Sequence, residues 1–375
     1  MTEHQQAHEP GPGVDPSPRE VSRRRFLGHA AAVGVSVPAL SFALNAFGGE
    51  GTASAADGPG KNPFPSKPYS FTLVNHVTTN SFFVPTQYGA QDACTLLGCS
   101  YNWTGSQTSD VTEMVNAMNT AINRKVAGIG VPIIDPTAFN TPTDKALAAG
   151  IPVVSYNAKA PDNSGNNVLS YIGQDLTQAG VEAGKRILNY VKKGDLVGGM
   201  IATPGSLNIQ PRIDGAASVL NPAGINFVTV ATGAAEGAEL SAVDAWYQGH
   251  TDVKFLYAVD SGSGIAVATA AAKYNLKSKG VNGSGWDVGV PTLQQVKKGN
   301  LTFTIDQQAY LQGFLTIMQL YLYQISGGLL RPVDTDTGLL FVTQSSVGPY
   351  LSSSNRYEGA SKTEKVVPAP SSIKV

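Results

Sequence analysis

Seven short stretches of the 375-residue chain set hydrogen-bonding and flat aromatic side chains directly behind apolar runs. The stretch NSFFVPTQYGAQDA (80–93) follows FTLVNHV and carries Asn80, Phe82 and Phe83. YNWTG supplies Trp103, IPVVSY is followed by Asn157, and TPGSLNIQPR after GGMIA holds Asn208, Gln210 and Arg212. Asp260 closes KFLYAVD, Trp286 and Asp287 follow VNGSG, and Asp306 and Gln307 follow LTFTI. Two chemistries recur, ring planes and short amide or acid groups. They suit a small polyhydroxylated molecule, whose C–H faces pack on rings while its hydroxyls need donors and acceptors at fixed positions. Neighbouring side chains diverge on helices and strands alike. Phe82 and Phe83 therefore do not enter one core together, and the cleft is where both are expected.

Other chemistries lack their residues. Phosphate cradling needs a G-x-x-x-x-G-K-[ST] loop, which does not occur. GSGWDVG departs from the dinucleotide fingerprint, with Val288 where the third glycine belongs. SGSG (261–264) and NGSG (282–285) do not have the spacing of a G-x-S-x-G nucleophile elbow. Asp260, Asp287 and Asp306 keep a second reading open, a sugar-active hydrolase with paired cleft carboxylates. Beyond the N-terminal segment only His76 and His250 remain as histidines, without partners at catalytic or metal-binding spacing, and both read as structural. Neither a metal nor any other cofactor is expected. Arg212 reads as a loop tether to a nearby carboxylate around Asp214. Asp287 reads as a ligand acceptor that doubles as the N-cap of a helix near Pro291.

These residues need a scaffold that brings strand ends together. The chain is 42% hydrophobic and 14% charged, with 41 glycines and a net charge of −1. That composition indicates a glycine-turned α/β protein and offers no cationic face to nucleic acid. One theme repeats, an apolar strand, a polar turn, a helix and a glycine. In DVTEMVNAMNTAINRKV (110–126), Val111, Met114, Val115, Met118, Ile122 and Val126 trace a helical stripe behind a capping-box-like Asp110 and Glu113. AGIGVPII, IPVVSY, LVGGMIA, INFVTVA, VKFLYAV and LTFTI read as buried strands, which argues for parallel sheets covered on both faces. About 300 residues exceed one comfortable core, so two lobes are expected.

The N-terminus is a different object. Arg23 and Arg24 precede Phe26 and Leu27, an uncharged run extends to Phe47, and ASA (53–55) offers a cleavage site. Residues 1–55 read as a twin-arginine-type signal peptide and residues 56–67 as a Gly/Pro-rich linker. A retained membrane anchor is the other reading of that run. Export makes Cys94 and Cys99, the only cysteines, candidates for a disulfide across a short loop worth about 2 kcal/mol.

The blocks NSFFVPTQYGAQDA, IPVVSYN, QPRIDG, HTDVKFLYAVD, GWDVG and TIDQ occur in an order that resembles the type I periplasmic solute-binding proteins of the ribose-binding class. The resemblance, over about Tyr69 to Phe341, implies two Rossmann-like lobes of parallel sheet flanked by helices, joined by a three-strand hinge. It implies an N-terminal lobe of 68–172 plus 308–338, a C-terminal lobe of 173–307 plus 339–360, and a tail of 361–375. It further implies a soluble, monomeric, non-enzymatic component of an ABC importer, outside the cytoplasm, that closes on a monosaccharide or sugar alcohol and docks on a permease. A sugar receptor for signalling is the alternative within the same family. Asn80, Phe82, Phe83, Asn157, Gln210, Asp260, Trp286, Asp287 and Gln307 take the family's ligand positions, with Trp103 covering a ring face left open near Ala234 and Ala235. The family's Asp-Arg clamp reads Asn157-Ala158 here, and Gln210 stands where its second arginine is placed. A ligand other than ribose is expected from those departures.

Overall fold

Apolar runs of four to six residues form the central strands, and the amphipathic segments between them cover both sheet faces. The computed structural model describes residues 67–352; the stretches expected to be signal peptide and tail, and most of the expected linker, lie outside the described residues. The chain opens with β1 (Ser70–Asn75), α1 (Val84–Leu97), β2 (Ser100–Gly105), α2 (Val111–Asn123), β3 (Gly128–Val131), α3 (Asn140–Ala148), β4 (Val153–Tyr156) and β5 (Tyr171–Gly173). It continues through α4 (Leu176–Ile187), β6 (Leu196–Ile201), α5 (Gln210–Leu220), β7 (Asn226–Ala231), α6 (Glu236–Gly249), β8 (Phe255–Ala258) and α7 (Ser261–Tyr274). It ends with β9 (Asn282–Ser284), α8 (Val290–Lys297), β10 (Thr304–Asp306), α9 (Ala309–Ile325), β11 (Thr335–Asp336), β12 (Leu340–Val342) and α10 (Gly348–Ser352).

One parallel sheet runs β11-β5-β4-β3-β1-β2 and a second runs β7-β6-β8-β9. A parallel bridge from Ser284 to Phe303 sets β10 beside β9, and β10 pairs antiparallel with β12. Both halves thus share one doubly wound order, in which the first strand lies between the second and third. The chain passes between them after β5, after β10 and between β11 and β12. Strands β1, β3, β4 and β8 are almost wholly buried, whereas the edge strand β7 alternates between exposed and half-buried residues.

Glycines let the helices approach closely at matching places. A Cβ on Gly89 of α1 would lie 2.1 Å from the Tyr310 carbonyl oxygen, and one on Gly313 of α9 would lie 1.9 Å from that of Thr86. In the other half, a Cβ on Gly180 of α4 would lie 2.3 Å from the Arg212 carbonyl oxygen. The α4–α5 crossing therefore seats Arg212 deep in the fold.

Several details depart from the sequence reading. The strands β5, β9, β11 and β12 are two or three residues long and carry too little pattern to be read locally. Their neighbours' ladders define them. The N-cap of α8 is Gly289, not Asp287. α1 ends on Gly98 at φ 68°, and Cys94 and Cys99 stand as two free thiols rather than the expected disulfide. That turn brings the sulfurs to hydrogen-bonding reach, which raises the Cys94 thiol and lowers that of Cys99. Met114 and Met118 are buried in the core, and Asp110 caps α2 by accepting the Glu113 amide at 3.0 Å. Among the described residues no helix is long and apolar enough to cross a membrane.

Candidate functional site

In open parallel sheets ligands bind beyond the carboxyl ends of strands. Here the strand ends of both sheets face one cavity, lined by His76, Asn80, Phe82 and Phe83 after β1 and by Asn157 after β4. The opposite wall carries Ala202 and Arg212 after β6, Glu239 of α6, Asp260 after β8, Asp287 after β9 and Gln307 after β10.

The adjacent rings enter together because the chain makes a single 3₁₀ turn, Ser81–Phe83, before α1 begins. Successive side chains there diverge by about 120°. Asn80 starts that turn by accepting the Phe82 amide at 2.9 Å. The Phe82 and Phe83 rings meet edge to face at 4.7 Å, and Phe83, buried, also meets His76 at 5.2 Å.

Asn157 and Asp287 occupy matching places in the two halves. Each is left-handed, at φ 65° and 64°, a conformation uncommon outside glycine. The Asn157 amide donates to the Ile172 carbonyl at 3.1 Å, and the Asp287 amide donates to that of Ile305 at 2.7 Å. Each turn aims a short side chain across its sheet end. A chain of amides then joins them. Asn157 Nδ2 donates to Gln312 Oε1 at 3.3 Å, Gln312 Nε2 to Gln307 Oε1 at 3.2 Å, and Gln307 Nε2 to Asp287 Oδ1 at 2.8 Å.

Charge concentrates on the far wall. Burial pushes the Asp287 carboxyl up to about 7, against the opposing pull of Arg212 and Gln307. Arg212 is 2% exposed and lies 4.3 Å over the Trp286 ring; burial lowers its pKa, and Asp287 opposes that. Nη1 donates to the Val259 carbonyl at 2.7 Å, but Nε and Nη2 have no hydrogen-bond partner. Buried donors left in that state cost about 1–3 kcal/mol each, a deficit that an incoming acceptor removes. His76 Nε2 lies 3.1 Å from Asn208 Nδ2 and accepts from it, which leaves the ring proton on Nδ1, also unpartnered. Burial, then Arg212, holds His76 down at about 3, so it is neutral across the physiological range. Among the described residues no group of three acidic, histidine or cysteine side chains could hold a metal.

Three residues read from the sequence as ligand contacts lie elsewhere. Trp103 is half-buried behind Phe83 at 5.9 Å and donates from Nε1 to the Thr78 carbonyl, so it backs the ring instead of facing the cavity. Gln210 caps its own loop, accepting the Gly205 amide and donating to Asp214. Trp286 is wholly buried beneath Arg212. Conversely, the structure places Arg212, His76 and Glu239 on the cavity. The helical register explains the first: two residues into α5, Arg212 turns inward where Gln210 turns out, and its anchor is Val259 and Trp286 rather than a carboxylate. His76 sits one residue past β1, where the strand-end rule could have found it. Glu239 lies within a helix and gives no such signal. His250 packs on Trp246 at 4.3 Å and is structural.

Two α/β halves of like order, with rings on one wall and unsatisfied donors on the other, define a receptor for a small polar solute. The chain belongs to the periplasmic binding protein family: residues 71–328 match the description Periplasmic binding protein domain. It is 44% identical over 383 residues to the xylose/arabinose-binding protein XylF of Sulfolobus acidocaldarius, covering 95% of this chain and 94% of that one. An ABC transporter solute-binding protein from Burkholderia graminis, solved in complex with D-arabinose, is 25% identical with a TM-score of 0.69, covering 76% of this chain and 99% of that one. A carbohydrate transporter protein from Acidothermus cellulolyticus, solved with myo-inositol, shares the fold at 24% identity and a TM-score of 0.66, covering 75% and 96%.

Proposed function

We propose that this chain is the sugar-receiving component of an ABC importer and holds a pentose in the cavity between its two halves, with related monosaccharides and sugar alcohols as weaker guests. The observation that carries this is Arg212, whose Nε and Nη2 stand buried and unpartnered beside Asp287. One sugar edge offers oxygens to the guanidinium and a hydroxyl proton to the carboxylate. The faces of Phe82 and Phe83 take the ring's C–H side, and Asn80 and Asn157 reach the remaining hydroxyls. Binding, not turnover, is the reading, in keeping with relatives that are binding proteins.

The halves act as lobes of 68–172 plus 308–338 and 173–307 plus 339–360, swinging about their three crossings. The Leu207 amide donates to the Ile134 carbonyl at 3.0 Å across the cleft, a contact that marks the closed state. In that state a single copy docks on the permease. Residues 1–55 direct export by the twin-arginine route.

A thermal-shift screen of pentoses, hexoses and polyols tests the reading. Xylose or arabinose raises the melting temperature most and is recovered unchanged. Stabilisation by ribose alone would defeat the pentose assignment, and stabilisation by no sugar would defeat the whole.

A further inference from the structure

Glu239 sits in the first turn of α6, where a glutamate ordinarily faces water, yet it is 3% exposed and lines the cavity. The first turn of α7 is cleared for it. A Cβ on Gly262 would stand 1.9 Å from Glu239 Oε1, so any larger residue there displaces the carboxyl. Asp260 caps the same helix, its Oδ1 accepting the Ser263 amide at 2.8 Å and its Oδ2 the Ala202 amide at 2.9 Å. Four side-chain oxygens then crowd together. Ser263 Oγ is 2.7 Å from Glu239 Oε2, 3.1 Å from Asp260 Oδ2 and 2.9 Å from Thr232 Oγ1. The Glu239 and Asp260 carboxyls thus share one hydroxyl, each with an oxygen within 3.1 Å of Ser263 Oγ.

The hydrogens can be counted. Ser263 Oγ brings one, which it can give to only one carboxyl at a time, and two carboxylates sharing a buried site cannot both ionise freely. One acid therefore keeps its proton. Burial first, and then the charge of Asp260, hold Glu239 up at about 9, which places the proton there. The other charged or titratable groups facing this pair are Arg212 from α5, Asp287 after β9 and His76 after β1.

We propose that Glu239 is a specificity-determining residue, which carries a proton into the cavity and sets an O–H donor beside the Asp260 acceptor, so that adjacent sugar hydroxyls are bound only while that proton is held. This rests on the cavity being the sugar site. With the proton lost, two carboxylates side by side can only accept, and their repulsion turns Asp260 out of line.

The test is calorimetric titration of D-xylose into the protein from about pH 7 to pH 10. In the wild type the dissociation constant rises about tenfold per pH unit above about pH 9, and binding at that pH takes up about half a proton, read from buffers of different ionisation enthalpy. Glu239→Gln, a neutral group of the same shape that still donates, loses both the alkaline limb and the proton uptake. Glu239→Ala weakens D-xylose at neutral pH by about tenfold, the loss of one hydrogen bond of about 1.4 kcal/mol. An affinity that is flat to pH 10, or an alkaline limb unchanged in Glu239→Gln, overturns the assignment while leaving the sugar site standing. Should Glu239→Gln not fold, the wild-type proton uptake decides alone. If neither D-xylose nor arabinose binds the wild type at neutral pH, the sugar site itself is refuted, and this inference with it.

Discussion

Replacing Asp287 by asparagine removes a charge from the cavity at almost constant shape. Asparagine tolerates the left-handed backbone at φ 64°, and its amide oxygen can still accept from Gln307. What is lost is the ionised acceptor that a sugar hydroxyl would use. A hydrogen bond to a charged group is worth about 1.5–3 kcal/mol, which converts to about 10- to 150-fold in dissociation constant. That is the weakening expected at about pH 8, where an acid held up at about 7 is mostly ionised. At about pH 6 nine-tenths of the wild-type carboxyls carry a proton that binding must expel, at a cost of about 1.4 kcal/mol. The gap between wild type and Asp287→Asn therefore narrows about tenfold between pH 8 and pH 6. Calorimetry with the best sugar at the two pH values reads this directly. A ratio of dissociation constants that is the same at both would refute the role given to the Asp287 charge.

Other perturbations separate binding from folding. The Glu239 carboxyl is raised from 4.5 to about 9 in the fold, so its contribution to stability is full below about 4.5 and is lost as pH climbs through 9. Asp287 behaves alike only up to about 7, and His76, held low, acts below 6.5, so from pH 7 to 9 Glu239 is the carboxyl that acts, beside the lowered Cys99 thiol, which Glu239→Gln leaves in place. Urea midpoints should fall across that window in the wild type and much less in Glu239→Gln; equal slopes would contradict it. Phe82→Ala, at a half-buried ring, weakens sugar binding by about two- to tenfold from the loss of about 0.5–1.5 kcal/mol of ring contact. Phe83→Ala, at a buried ring, costs in addition about 3–5 kcal/mol of stability, seen as a lower melting temperature. Gly180→Ala drives a methyl group against the Arg212 backbone and lowers both stability, by about 1–3 kcal/mol, and affinity. Unaltered affinity in Gly180→Ala would show that the seating of Arg212 does not depend on that crossing.

The strand-helix alternation was legible because β1, β3, β4, β6 and β8 are continuous apolar runs whose type needs no tertiary context. β9 (Asn-Gly-Ser) was not, since only its place between β8 and Phe303 makes it a strand. At the site, the strand-end rule located Asn80, Asn157, Asp260, Asp287 and Gln307, because it needs only the end of a run. It could not tell which way a side chain turns once a helix has begun. Gln210 and Arg212 lie two residues apart on the first turn of α5, and their facing was exchanged for that reason. Trp286 and Trp103 were placed on the ligand because ring chemistry is visible in a sequence, whereas the layer of another ring above or below it is not. Glu239 was invisible because its burial is made by Gly262, 23 residues downstream.

The matched turns at Asn157 and Asp287 carry a last consequence. A fold repeated twice offers its guest the same reach from either side, but one copy speaks with a neutral amide and the other with an acid. A sugar placed between them is therefore read with a direction, and turning it end for end would set its hydroxyls against the wrong partner. Exchanging the two residues should invert that polarity without disturbing either half's backbone.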